Sequence, residues 1–201
     1  MSILLTGATG YIGGLLLRRL EADGRIVRCL VRDRARLTGT AASTEVIQGD
    51  CLDEPSLDRA FAGVHSAYYL VHSMGSGADF AERDRRAADN FGRAAARAGV
   101  GRIIYLGGLT DDTSVLSAHL ESRAETGEAL RASGVPVIEF RASVVIGDGS
   151  LSFQMIQALV EAARNDLSAV GFDADPADCD HRRPRLPPPG ARGEGGRQHH
   201  L

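Results

Sequence analysis

The chain has 201 residues, a formal net charge of −3 and 43% hydrophobic residues: enough for one domain with an ordinary core, and too acidic for a nucleic-acid or membrane-surface role. All 23 of its basic side chains are arginines, and there is no lysine. A Schiff base, a P-loop and a Tyr-x-x-x-Lys proton relay are therefore excluded, because a guanidinium stays charged at working pH and moves no proton.

Ser2 to Thr6 reads as a short apolar strand, followed at once by Gly7, Gly10 and Gly13. Ile12, Leu15, Leu16 and Leu20 then recur at helical spacing, and Asp23-Gly24 ends that helix. Ile26 to Val31 is the second strand, Glu45 to Gln48 the third, closed by Gly49-Asp50, and Val64 to Val71 contains the fourth. From Phe80 through Ala87, Phe91, Ala94 and Ala98 the apolar spacing is again helical, with Glu82/Arg86 and Asp89/Arg93 as i, i+4 pairs on the wet side and Gly99 as the stop. Arg102 to Leu106 makes the fifth strand, Val115 to Ala132 a helix stopped by Gly134, and Val137 to Phe140 the sixth strand.

This alternation predicts an α/β protein with a Rossmann-type doubly wound parallel sheet over residues 1–160. Residues 161–201 hold five of the seven prolines and lose all periodicity, which reads as an irregular, disordered C-terminal tail.

Cys29, Cys51 and Cys179 fit neither a disulfide framework nor metal-ligand spacing, so reduced thiols and no metal site are expected. The chain opens without a cationic, apolar and small-residue succession, and no apolar run approaches the roughly 20 residues that span a bilayer. A cytoplasmic location, no membrane span and no nucleic-acid partner are the expectations.

Chemistry concentrates in Thr6-Gly7-Ala8-Thr9-Gly10-Tyr11-Ile12-Gly13, which follows a strand and opens a helix. There the first glycine permits the tight turn, the second lets backbone approach a pyrophosphate, and the third lets helix and strand pack closely. The pyrophosphate would rest on N–H groups at the helix N-terminus. At the end of the second strand, Arg32 and Asp33 pull the cofactor in opposite directions. A carboxylate accepts hydrogen bonds from the ribose of NAD, whereas a guanidinium pairs with the extra phosphate of NADP. Arg34 and Arg36 add positive charge, which favours NADP, with NAD the alternative. Asp50 is placed to receive the adenine amino group; its alternative role is capping the following helix.

The segments TGATGYIGG, VRCLVRD, GDCLD, YYLVHSMG, NFGRAAARAGVGRIIYLGGL and VIEFRASVVIGDGS, in that order, resemble the atypical and extended short-chain dehydrogenase/reductases. The match looks like the NmrA-like or complex-I-subunit-like branch of NAD(P)-binding proteins and covers residues 1–160. It implies a Rossmann fold with Gly7, Gly10, Tyr11, Ile12, Arg32, Asp50, Cys51 and the segment Leu70, Val71, His72 around the cofactor. His72 would border the nicotinamide, a plain loop role being the alternative.

Active members of that wider family use a serine after the fifth strand and a Tyr-x-x-x-Lys pair on the next helix. Here the serine region reads Leu106-Gly107-Gly108, and His119 and Arg123 occupy the helical spacing. Neutral histidine can donate a proton and Arg123 can hold a ribose hydroxyl, but no tyrosinate–ammonium relay is possible. The alternatives are a surface helix pair or one that orients the cofactor.

Two classes of function stand. One is a reductase of a small carbonyl or quinone-like substrate with non-standard catalytic residues. The other is a non-catalytic dinucleotide-binding redox sensor or assembly module. An inactive product is the third outcome, because the tail lacks the family's PRWV, QPIAI and DVL segments. A permitted coding of residues 165–189, read one base later, spells TTCPRWVSTPTQPIAITDVLAYLL, and Gly196 to Leu201 recode to DDSTTF, which resembles a family ending. The expectation is a single-base frameshift near residues 161–165. Reading the gene checks this: the +1 frame is expected to run open through that string, and a stop or a different string there overturns it.

Overall fold

A computed structural model describes residues 1–72, 80–109, 118–143, 145–147, 149–150 and 153–161, with the backbone alone at 118 and 119. The start of the sequence-predicted helix at 115–117, Cys179 and the tail beyond 161 lie outside the described residues. The chain divides into two units, Met1–Gln154 and Met155–Leu201.

In the first unit, strands and helices alternate as β1 (Ser2–Thr6), α1 (Tyr11–Ala22), β2 (Ile26–Val31), a 3-10 turn (Arg34–Arg36), β3 (Glu45–Gln48), α2 (Glu54–Phe61), β4 (Val64–Tyr69), α3 (Phe80–Arg97), β5 (Arg102–Gly108), α4 (Ala118–Ala132) and β6 (Val137–Ala142). All strands are parallel in the order β3-β2-β1-β4-β5-β6, a Rossmann sheet whose order reverses between β1 and β4. Ser2 to Thr6 pairs with Ile26 to Leu30 on one side, and Ile3 to Leu5 pairs with Ser66 to Tyr68 on the other. In the second unit, residues 155–161 are helical.

Neighbouring residues of β1 face opposite cores, as the two-residue period of a strand requires. Leu5 joins Leu17, Leu20, Val27, Cys29 and Val31 under α1. Leu4 joins Leu57, Phe61, Tyr69, Phe91, Ile103 and Leu130 under α2, α3 and α4. In that second core Phe91 meets Phe61 and Tyr69 edge-on, with ring centroids 4.7 and 4.9 Å apart. Each such pair adds about 0.5–1.5 kcal/mol beyond its area.

Two sequence expectations are corrected here. The apolar stripe of α1 is rotated: Gly13, Leu17 and Leu20 are buried, while Leu15 is exposed. Close approach of Gly13 to Gly7 fixes which side of the helix meets the sheet, and that overrides the leucine spacing. On α3, Glu82 and Asp89 pair with Arg85 at 2.8 and 3.7 Å, and Arg93 reaches Glu54 on α2 at 3.0 Å. The neighbouring helix, which runs parallel to α3, offers Arg93 a carboxylate that spacing along one helix cannot reveal.

Ile138 and Phe140 on the edge strand β6 are 43% and 59% exposed, so that end of the sheet keeps an open apolar face. Among the described residues no helix is long and apolar enough to cross a membrane.

Burial pushes the Cys29 and Cys51 thiols from 9.0 up to about 12, with help from Glu21 and Asp50 respectively and opposition from Arg32 at Cys51. Their folded values exceed their unfolded ones, so their contribution to stability is complete below about pH 9 and is lost as pH rises towards 12. Two outcomes are expected: a melting temperature that falls above pH 9, read by circular dichroism, and no reaction of Cys29 or Cys51 with a thiol reagent at pH 8 until denaturant is added.

Candidate functional site

The carboxyl ends of β1 and β4 are joined by one side chain. Thr6 Oγ1 donates to the Tyr68 carbonyl at 3.0 Å and accepts from the Leu70 N–H at 3.2 Å. This brings Gly7 so close to Leu70 that a Cβ on Gly7 would collide with the Leu70 carbonyl oxygen, and Gly7 takes φ +72, open to glycine and costly for other residues. Gly10 donates its N–H to the Gly7 carbonyl at 2.9 Å and forms the N-cap of α1 without a side-chain cap. No acidic residue stands in the first turn of α1, so its N-terminal dipole stays available to an anion. A Cβ on Gly13 would strike the Gly7 carbonyl. One on Gly14 would sit at an ordinary 3.4 Å from the Ala8 carbonyl oxygen.

The structure therefore fits a pyrophosphate on the test that matters, a cradle closed to side chains on the strand side and bare of them at the helix end. Thr9, Gly10 and Tyr11 line a cleft of about 410 Å³ together with Arg18, Glu21, Arg36, Thr38 and Thr40. Glu21 is engaged there: its Oε1 accepts from the Ala41 N–H at 2.9 Å and the Thr44 hydroxyl at 2.5 Å, pinning the loop after the 3-10 turn onto α1. Arg18 was not singled out by the sequence. It stands two turns into α1, where only the folded loop opposite marks it as cleft-lining.

Asp33 accepts from the Ala35 N–H at 3.0 Å and caps the 3-10 turn, while Arg32 beside it is exposed. The local turn thus engages one of the two carboxylate oxygens of Asp33. Asp50 makes a similar local bond, accepting from the Leu52 N–H at 2.9 Å, and the buried Ser56 hydroxyl donates to the Asp50 carbonyl at 3.0 Å. The cap of α2 is Asp53. Asn90, also unmarked in the sequence, donates to the Cys51 carbonyl at 3.1 Å from α3 and fixes the turn that follows β3. Ile12 is half-buried at the start of α1, and Leu70 and Val71 pack on the two cores.

After β4 comes His72, whose Nδ1 lies 3.5 Å from the buried Asp84 Oδ2 on α3. His119 lies in the first turn of α4 with its side chain outside the described residues. Arg123 packs against the end of β5, and its carbonyl accepts from the Tyr105 hydroxyl at 2.9 Å. A Cβ on Gly108 would lie 2.7 Å from Leu120 Cδ2 and 3.3 Å from Arg123 Cδ, so a side chain there requires the tip of Leu120 to turn aside. Burial raises Tyr105 to about 12 and Tyr69 well above its usual value, which keeps both hydroxyls neutral.

The NmrA-like family model matches residues 1–170. A (4-alkanoyl-5-oxo-2,5-dihydrofuran-3-yl)methyl phosphate reductase of Streptomyces griseus is 38% identical over 135 residues, which are 67% of this chain and 44% of that protein. The triphenylmethane reductase of Citrobacter sp., solved with NADP(H), is 29% identical with a TM-score of 0.61 over 74% of this chain and 51% of its own. An enzyme of Bordetella bronchiseptica solved with NAD+ shares the fold at 19% identity, with a TM-score of 0.66 over 80% of this chain and 62% of its own. The chain thus spans about half the length of the reductases it matches.

The two adjacent glycines of the turn separate sterics from composition. Gly13→Ala is expected to lower stability by about 1–3 kcal/mol through the clash at Gly7. Gly14→Ala is expected to be neutral or to raise stability by up to about 1 kcal/mol, since it relieves glycine entropy inside a helix. Urea denaturation of both variants checks the contrast.

Proposed function

The chain belongs to the NmrA-like family, and from that premise we propose that it binds a nicotinamide dinucleotide, NADP(H) in preference to NAD(H), and reduces a small carbonyl or quinone-like substrate. The observation that carries the binding is the glycine cradle. Gly7 and Gly13 exclude side chains on the strand side, and the uncapped N-terminus of α1 offers its N–H groups to a pyrophosphate. Gly7, Thr9, Gly10, Tyr11, Ile12 and Gly13 form this part of the site.

Preference for NADP rests on charge. Arg32 is exposed beside an Asp33 already used as a turn cap, and Arg18 and Arg36 flank Thr9 in the cleft. A phosphate ester gains charge-assisted hydrogen bonds from such groups, while a plain ribose gains little. Asp50 and Cys51 would lie against the adenine, and Leu70, Val71 and His72 against the nicotinamide side. When bound, the reduced cofactor supplies a hydride; the chain's own part is to hold it, shield it and provide a proton. His119 and Arg123 remain candidates for that chemistry from α4.

A second reading, a non-catalytic dinucleotide-binding module, is favoured by Gly108. The family's serine is absent there, and a lysine is missing from the whole sequence. The tail from 161 to 201 enters either reading as an out-of-frame segment, with residues 1–160 as the dinucleotide-binding domain.

Fluorescence titration with NADPH and NADH tests the binding. NADPH is expected to bind at least 10-fold more tightly, in line with about 1.4 kcal/mol for a single charge-assisted contact, and Arg32→Ala is expected to remove that preference with little change for NADH. Equal affinities overturn the NADP assignment. Steady NADPH oxidation across a carbonyl and quinone panel supports the reductase, and tight binding without turnover supports the module.

A further inference from the structure

The reductase reading leaves the source of the proton open, and the fold places one histidine where that proton is needed. The order of the sheet reverses between β1 and β4, and ligands of such sheets lie in the crevice beyond the strand ends at that reversal. His72 stands there, three residues past the end of β4. Leu70, two residues before it, carries the carbonyl that faces Gly7 of the phosphate-binding turn. Two residues of chain span at most about 7 Å, so the backbone of His72 is tethered to the cradle itself.

The histidine has a partner from another element. Its Nδ1 lies 3.5 Å from Asp84 Oδ2, with the Asp84 side chain 8% exposed and His72 24% exposed. Asp84 is carried on the buried face of α3 with Ala87, Ala88 and Phe91, so the packing of that helix fixes where the carboxylate stands. A buried carboxylate 3.5 Å from one ring nitrogen favours the tautomer that carries its proton on that nitrogen. The proton on Nε2 is then the one the ring can exchange with a substrate. Among the described residues, the nearby tyrosine hydroxyls do not compete for this role. Tyr105 donates to the Arg123 carbonyl, and Tyr69 is fully buried.

We propose that His72 is the proton donor of the reduction and that Asp84 is its positioning residue. This rests on the reductase reading above. In the step, the carbonyl carbon gains a hydride from the dihydronicotinamide and its π pair moves to oxygen. The oxygen takes the Nε2 proton of the imidazolium, forming the O–H bond of the alcohol. The dinucleotide is oxidised, the carbonyl is reduced, and His72 is left neutral with Nδ1–H towards Asp84 until solvent returns a proton. Among the described residues, Tyr69 on β4 and Tyr105 on β5 lie within the electrostatic reach of Asp84.

Nitrogen-15 spectra of the ring in the full chain, without cofactor, test the geometry directly. The neutral ring of His72 is expected to carry its proton on Nδ1, and Asp84→Asn is expected to shift it towards the Nε2 form. A native ring protonated on Nε2 alone overturns the proposal. In steady-state reduction of the responsive carbonyl, His72→Gln is expected to lower kcat about 100-fold while the KM for NADPH moves less than about 5-fold. Asp84→Asn is expected to lower kcat about 10-fold or more, and added imidazole to restore part of the activity of His72→Ala. Turnover that survives His72→Gln overturns this assignment alone. A native chain that binds NADPH and turns over no substrate overturns the reductase reading, and this one with it.

Discussion

The hydroxyl of Thr6 holds the molecule's key constraint. By accepting from the Leu70 N–H and donating to the Tyr68 carbonyl, it ties the end of β1 to the end of β4 at the reversal of strand order. The next residue must then pass beneath the Leu70 carbonyl, which only a residue without a Cβ can do, and Gly7 does so at positive φ. From that point the start of α1 is fixed, and contact of Gly13 with Gly7 sets the helix rotation that buries Leu17 and Leu20. The cradle, the orientation of its helix and the adjacent segment from Leu70 to His72 therefore follow from one buried polar contact.

The absence of lysine shapes the rest of the polar structure. Arg28 shows what guanidinium groups do instead: it bonds Glu45 on β3 at 2.7 Å and the carbonyls of Ala60 and Ala62 at the end of α2 at 2.9 and 2.6 Å. One planar fork satisfies three acceptors from different elements, which a single ammonium does less well. Arg93 and Arg97 join α3 to α2 through Glu54 and Asp58 in the same manner. These pairs are exposed and screened by solvent, so they align the helices more than they stabilise them. Arg18 and Arg36 differ in lining the cleft beside Thr9 and Gly10 of the glycine turn.

Catalysis and binding part company at the end of β5. Leu120 and Arg123 lie over Gly108, where the sequence carries no serine. Tyr69 is buried and the Tyr105 hydroxyl donates to the Arg123 carbonyl, and burial raises both above the usual tyrosine value. A pair made from a strand end and a buried helix face, His72 and Asp84, lies outside the pattern of the Tyr-x-x-x-Lys relay.

By itself the sequence determined the alternation of strands and helices, the parallel sheet and the phosphate-binding turn. These depend on local spacing: apolar runs of strand length, helical stripes, and three glycines between a strand and a helix. It also determined that no lysine relay exists. Only the tertiary structure decided which face of α1 is buried, that Arg93 seeks Glu54 rather than Asp89, that Asp33 is taken up by its own turn, and that Asp84 stands beside His72. Each of these joins atoms from separate stretches of chain or sets one local bond against another, and neither result is encoded in the periodicity of a single segment.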